Sequence, residues 1–134
     1  AITTHTLIQN TSYTATGLTQ AITPKFSTSK ILVLVNLSSE VYQYGESALD
    51  FYFQLTRASS QIAFRRNQIY AKHSSNGYYA ISGHGTMIFE DAPNTTSATT
   101  YAVNGKLSST ANSATFRVGY TNCDSTLTLQ EIAQ

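Results

Sequence analysis

The chain has 134 residues, a formal net charge of +1 and only 11% charged side chains, against about 25% in an average domain. One domain spanning 1–134 is expected, without an intrachain disulfide or a cysteine-based zinc site, because Cys123 is the only cysteine. The Lys and Arg residues are scattered, with Arg65–Arg66 the only adjacent pair. That sets nucleic-acid binding aside, and no apolar run is long enough for a membrane-spanning helix.

Period-2 alternation between turn-rich stretches runs along the chain, and no helical period competes with it. Strands are expected over 3–9, 19–23, 30–37, 48–56, 61–68, 79–90, 99–107, 115–121 and 126–132. Residues 1–12 form a first strand or an arm. In 30–37, Ile31, Val33, Val35 and Leu37 point one way and Leu32 and Leu34 the other. Both faces are apolar, whereas a small antiparallel sandwich normally wets its outer face.

In 48–56, Phe51, Phe53 and Leu55 alternate with Tyr52, Gln54 and Thr56, a half-buried strand. Ala63-Phe64, Tyr78-Tyr79-Ala80-Ile81 and Met87-Ile88-Phe89 are apolar on both parities, like 30–37. Gly83 and Gly85 flank His84 and suggest a bulge or bend that lets another chain approach closely. Gly105 suggests a bulge within 99–107. Phe116 and Val118 alternate with Arg117, and Leu127 and Leu129 with Thr126 and Thr128. The final strand is expected inside a sheet. The connections are Ser-, Thr-, Asn- and Gly-rich, at 42–47, 72–77, 92–97 and 108–113. Eight or nine short strands with such loops fit an all-β, jelly-roll-type antiparallel sandwich.

Catalytic constellations are missing from the sequence. His5, His73 and His84 have no metal-site spacing. The acids are few, and only Glu90 and Asp91 are adjacent, which reads as a strand end entering a turn. There is no Gly-x-Ser-x-Gly elbow, and no phosphate loop opens a helix. No enzyme, metal or cofactor is expected. Cys123 reads as a quiet thiol. The sequons at Asn10, Asn36 and Asn94 are chance matches in so Ser/Thr-rich a chain, with Asn36 inside a buried strand. Tyr13, Tyr42, Tyr44, Tyr78 and Tyr79 fall in or beside expected loops. Of these, Tyr42, Tyr44, Tyr78 and Tyr79 are the candidates for stacking on a sugar or docking a protein, unless they fill cross-strand positions.

A second cover for Leu32 and Leu34 comes most simply from further copies of the chain. Leu32, Leu34, Phe64 and Ile88 are the candidate oligomer interface. The alternative is a loop, such as 42–47, folded over the outer face.

Three blocks carry a resemblance: Gly17-Leu18-Thr19-Gln20-Ala21-Ile22-Thr23-Pro24 followed by Ser27-Thr28-Ser29-Lys30-Ile31-Leu32-Val33-Leu34-Val35; Asp91-Ala92-Pro93-Asn94-Thr95-Thr96-Ser97-Ala98-Thr99-Thr100-Tyr101-Ala102-Val103; and Ser125-Thr126-Leu127-Thr128-Leu129-Gln130-Glu131-Ile132-Ala133. In order and spacing they resemble small domains of tailed-phage fibre-like and head-surface structural proteins, including those of cyanophages and marine phages. Residues 42–82 lie outside the resemblance. It implies a homotrimeric β-sandwich, similar in outline to the tumour-necrosis-factor and C1q jelly rolls. One sheet of each subunit would face the threefold axis, with no enzymatic activity. The chain has no shaft, so a capsid decoration (cement) protein on the virion surface, partnered by the major capsid protein, is the first expectation if 134 residues is the whole product. The alternative is a receptor-binding fibre head that recognises host surface glycans, with specificity in 42–82. A polysaccharide depolymerase is the weakest.

Overall fold

Alternation in the sequence becomes nine strands among the described residues: β1 (Thr6–Ile8), β2 (Thr14–Ile22), β3 (Lys30–Tyr44), β4 (Ser47–Arg57), β5 (Ser60–Ala71), β6 (Tyr78–Asp91), β7 (Thr99–Leu107), β8 (Thr115–Val118) and β9 (Thr126–Ile132). The structure is a computed structural model that describes residues 6–44, 47–71, 77–119 and 124–133, with the backbone alone for 47, 69–71, 78 and 79. Two antiparallel sheets face each other. One has the order β1-β8-β3-β6, with β9 also paired to β3, and the other β2-β7-β4-β5. The 15-residue β3 organises the first sheet. One of its edges pairs with β6 from Ile31–Asp91 to Tyr44–Tyr78. Its other edge is shared in line by β9, along Lys30–Asn36, and β8, along Ser39–Tyr42.

The inward parity of each strand makes the core. Ile31, Val33, Val35 and Leu37 are at most 1% exposed, and Phe53, Leu55, Tyr101, Val103, Leu107 and Phe116 at most 2%. Phe116 lies 5.1 and 5.0 Å, centroid to centroid, from Phe51 and Phe53 of the opposite sheet. Burying one such ring contributes roughly 1.5–3 kcal/mol, so this triad is a main tie between the layers. A polar latch joins the same layers at one end. Asp91 of β6 accepts from Arg57 Nη1 of β4 at 2.9 Å and from the Tyr101 hydroxyl of β7 at 2.7 Å. Burial, then the bond to Asp91, pushes the Tyr101 phenol well above its ordinary pKa.

Several expectations need correction. β3 runs through Tyr44, so Tyr42–Tyr44 are strand residues and do not form a loop. β2 begins at Thr14, well before residue 19. Asn36 is exposed on the outward face of β3, not buried. No register shift interrupts β6 opposite β3, so Gly83 and Gly85 form no bulge. Gly105 also sits in regular register, opposite Phe53. It is small because a Cβ there would stand 2.7 Å from Ile8 Cδ1 and 3.0 Å from Phe116 Cε1. The register shift of β7 against β2 falls instead between Ala15 and Thr19, around Gly17 with φ 87°. β9 is paired to β3 alone among the described residues, so its other side is an edge. His5, His73, Tyr120, Cys123 and the stretch 72–76 lie outside the described residues.

Candidate functional site

Strand register decides which side chains share a surface, because residues directly opposite on neighbouring strands sit on one face. On the outward face of the first sheet, Leu34 lies opposite Ile88 of β6 and Thr128 of β9. Leu32 lies opposite Glu90 and Gln130 in the next outward row. Leu32 and Leu34 are half-buried by these neighbours, while Ile88 is 66% exposed. Lys30 closes the end of the patch with a 2.6 Å ion pair to Glu90. The sequence therefore identified three residues that the fold brings together. Phe64, 60% exposed, does not join them. It stands opposite Gln54 on the outward face of the other sheet.

The far end of the same face is polar and internally paired. Six residues along β3 from Leu34, roughly 20 Å at 3.3–3.4 Å per residue, Glu40 lies between Arg117 of β8 and Ser82 of β6. Arg117 Nη1 donates to Glu40 Oε2 at 3.2 Å and Nη2 to the Tyr42 hydroxyl at 2.9 Å. The Arg117 guanidinium also stands 4.5 Å from the Tyr42 ring centre, a cation–π distance. Glu40 is only 7% exposed. Tyr42 is thus held in a charged network on a strand, in the cross-strand role. Tyr44 follows at the end of β3, half exposed, opposite Tyr78, with Gln43 opposite Tyr79. The side chains of Tyr78 and Tyr79 lie outside the described residues.

The outward face of the second sheet carries one ion pair and one lysine held over two tyrosine rings. Lys106 sits 4.8 Å from the Tyr13 ring and 5.1 Å from the Tyr52 ring, and Arg66 pairs with Asp50 at 2.9 Å. Burial, then the neighbouring Tyr52, raises the Tyr13 phenol above its ordinary value. No apolar pair comparable to Leu34–Ile88 crosses the strands described on this face.

A further feature went unread in the sequence. Where the edge strands β5 and β6 run along the same open side of the sandwich, two cavities of about 190 Å³ adjoin, sharing Phe53, Asn67, His84 and Gly85 in their walls. Arg65 and Asn67 lie opposite Phe53 and Phe51, at inward positions where a core strand carries apolar residues. Gly83 and Gly85 take the inward positions of β6, and a Cβ at either would meet nothing within 4 Å. Polar residues and glycines at inward parity were the available signal.

Among the described residues, no group of three or more His, Cys, Asp or Glu gathers as a metal site would, and no helix is long and apolar enough to cross a membrane. No family model matches the chain, and no curated relative matches it. The class therefore follows from the fold: an all-β protein of two facing antiparallel sheets. Its distinguishing surfaces among the described residues are an outward apolar patch and clefts between the sheet edges, the paired cavities along β5 and β6 and a more open one of about 330 Å³ between β2 and β9.

Proposed function

We propose that the chain is a non-enzymatic structural module of a bacteriophage particle, a jelly roll that associates as a homotrimer and decorates the capsid surface as a cement protein. The strand order supports the jelly-roll reading. The chain alternates between sheets at each step except the β4–β5 hairpin and the in-line pair β8 and β9, and the two orders, β1-β8-β3-β6 and β2-β7-β4-β5, interleave as two Greek keys do. The three sequence blocks that resemble phage head-surface and fibre domains support the setting.

The association rests on one observation: Leu34 and Ile88 face each other across β3 and β6 on the outward side, with Ile88 66% exposed. Of the loop 42–47 that was one rival cover, Tyr42–Tyr44 continue β3 and Ser47 opens β4. Among the described residues, the outward face of the opposite sheet pairs Arg66 with Asp50, sets Lys106 over the Tyr13 and Tyr52 rings, and has no such apolar pair. Apolar surface that a protomer leaves in water favours association by about 25 cal/mol per Å² once covered, and a stable interface hides about 800 Å² per partner. The patch thus forms the apolar centre of a larger contact, with Lys30–Glu90 on its rim. Neighbouring capsid subunits are the partner on the particle.

Light scattering on material from size exclusion tests the association, and co-sedimentation with empty phage capsids tests the partner. The expected outcome is a particle of three chains that falls to one chain in Ile88→Lys, with retention on capsids only for the trimer. A wild-type chain that stays single at micromolar concentration overturns the proposal.

A further inference from the structure

Where the sandwich is open between β5 and β6, the two cavities reach in to the edge of the core, where Leu37, Phe53 and Met87 keep only 1, 2 and 6% of their surface exposed. The floor of the first cavity is Leu37, Phe53 and Met87, and its upper wall is Arg65 and Asn67. The second cavity continues from Asn67 past Gly83. An apolar cavity of roughly 150 Å³ accommodates a benzene-sized ring, so each half has room for one six-membered ring. The two glycines make that room. Any side chain at their inward positions would fill it, and the regular pairing of β6 with β3 gives no backbone reason for glycine at either place.

Charge sets the class of occupant. Arg57, Arg66 and Arg117 each pair with a carboxylate at 2.9, 2.9 and 3.2 Å. Arg65 has no such partner among the described residues, and neither has the Asn67 amide a hydrogen-bond partner there. A guanidinium matches a carboxylate through two parallel N–H donors. The outer edge of β6, unpaired among the described residues, adds backbone donors and acceptors along the mouth, and Asn67 offers both. An apolar floor beneath hydrogen-bonding groups, His84 among them, and the Arg65 guanidinium fits a pyranose that carries a carboxylate. The ring's C–H face would lie toward Phe53 and Met87, its hydroxyls toward Asn67 and the strand edge, and its carboxylate toward Arg65.

We infer that the β5–β6 cleft is a binding site for an acidic saccharide, taking up to two pyranose rings with a uronic-type carboxylate on Arg65. The inference does not depend on the chain's place on a particle.

The test is a titration of the purified protein, in its native association state, with glucuronate and galacturonate against glucose and galactose, followed by backbone amide NMR. Saturable shifts at Arg65, Asn67, Gly83 and Gly85 with the uronates, and at least about tenfold weaker binding of the neutral sugars, a difference of about 1.4 kcal/mol, are expected. Arg65→Gln should lose about tenfold in uronate affinity. Gly85→Val fills the cleft without removing a polar group, so it should abolish binding while its melting temperature does not fall. Uronates that bind no better than neutral sugars, shifts elsewhere on the protein, or full binding by either variant would overturn the assignment.

Discussion

The latch at Asp91 gives the sharpest test of how the two sheets are held. Asp91 is 8% exposed and accepts from Arg57 Nη1 on both oxygens at 2.9 Å and from the Tyr101 hydroxyl at 2.7 Å. Asp91→Ala leaves the hydroxyl of Tyr101, a residue with no exposed surface, without its acceptor, which costs about 1–3 kcal/mol. Loss of the bond to Arg57 would cost about 1.5–3 kcal/mol if fully buried. It is discounted here toward 1 because the Arg57 side chain is 32% exposed. The expected loss is therefore about 2–4 kcal/mol, a large part of the 5–15 kcal/mol that a domain typically has. Asp91→Asn keeps an acceptor for Tyr101 and should lose only about 1–2 kcal/mol. The assay is urea unfolding at fixed protein concentration, since association would add its own stabilisation. A double-mutant cycle with Tyr101→Phe should give a coupling of at least about 0.5–1 kcal/mol. If Asp91→Ala unfolds within about 0.5 kcal/mol of the parent, or the two changes are additive, the latch does not tie the sheets.

Other outcomes follow from single positions. Because the Tyr101 pKa is raised in the folded state, its contribution is complete below the ordinary phenol value of 10.0 and is lost as pH rises beyond it, where the unfolded chain ionises first. Unfolding free energy should thus fall above about pH 10, and fall less in Tyr101→Phe, as denaturant titrations at pH 8 and 11 would measure. Gly105→Ala should cost about 1–3 kcal/mol by overpacking, because Ile8 and Phe116 around it are at most 1% exposed and have no space to yield; thermal melts check this. The β4–β5 hairpin turns on Ala58 and Ser59 with φ 46° and 70°, a conformation natural to Asn-Gly. Ser59→Gly should therefore raise stability by about 1 kcal/mol, and an unchanged or lower melting temperature would refute that reading of the turn.

The sequence by itself determined the all-β class and the approximate place of all nine strands. Inward and outward alternation is a local property, written into runs such as Phe51-Tyr52-Phe53 and Phe116-Arg117-Val118. It also picked out Leu32, Leu34, Phe64 and Ile88 in strands apolar on both parities, because parity sorts side chains onto two faces, but which parity turns to the core was left to the fold. Turn chemistry was less legible. Ala58-Ser59 carries neither Asn nor Gly, the residues its positive φ angles favour, and the Ser- and Thr-rich character of the chain blurred where β2 begins.

Only the tertiary structure decided which outward residues meet. Leu34 and Ile88 are far apart in sequence and are joined by the β3–β6 register, whereas Phe64, equally apolar, is carried to the opposite layer by the β4–β5 hairpin. The same holds for the cleft. Arg65 and Asn67 read singly as ordinary strand residues and Gly83 and Gly85 as a bulge or bend, and the four become a cavity wall because two edge strands from different sheets end up on one open side. Pairing across long sequence separations is set by the summed burial of the whole core, which no local window contains.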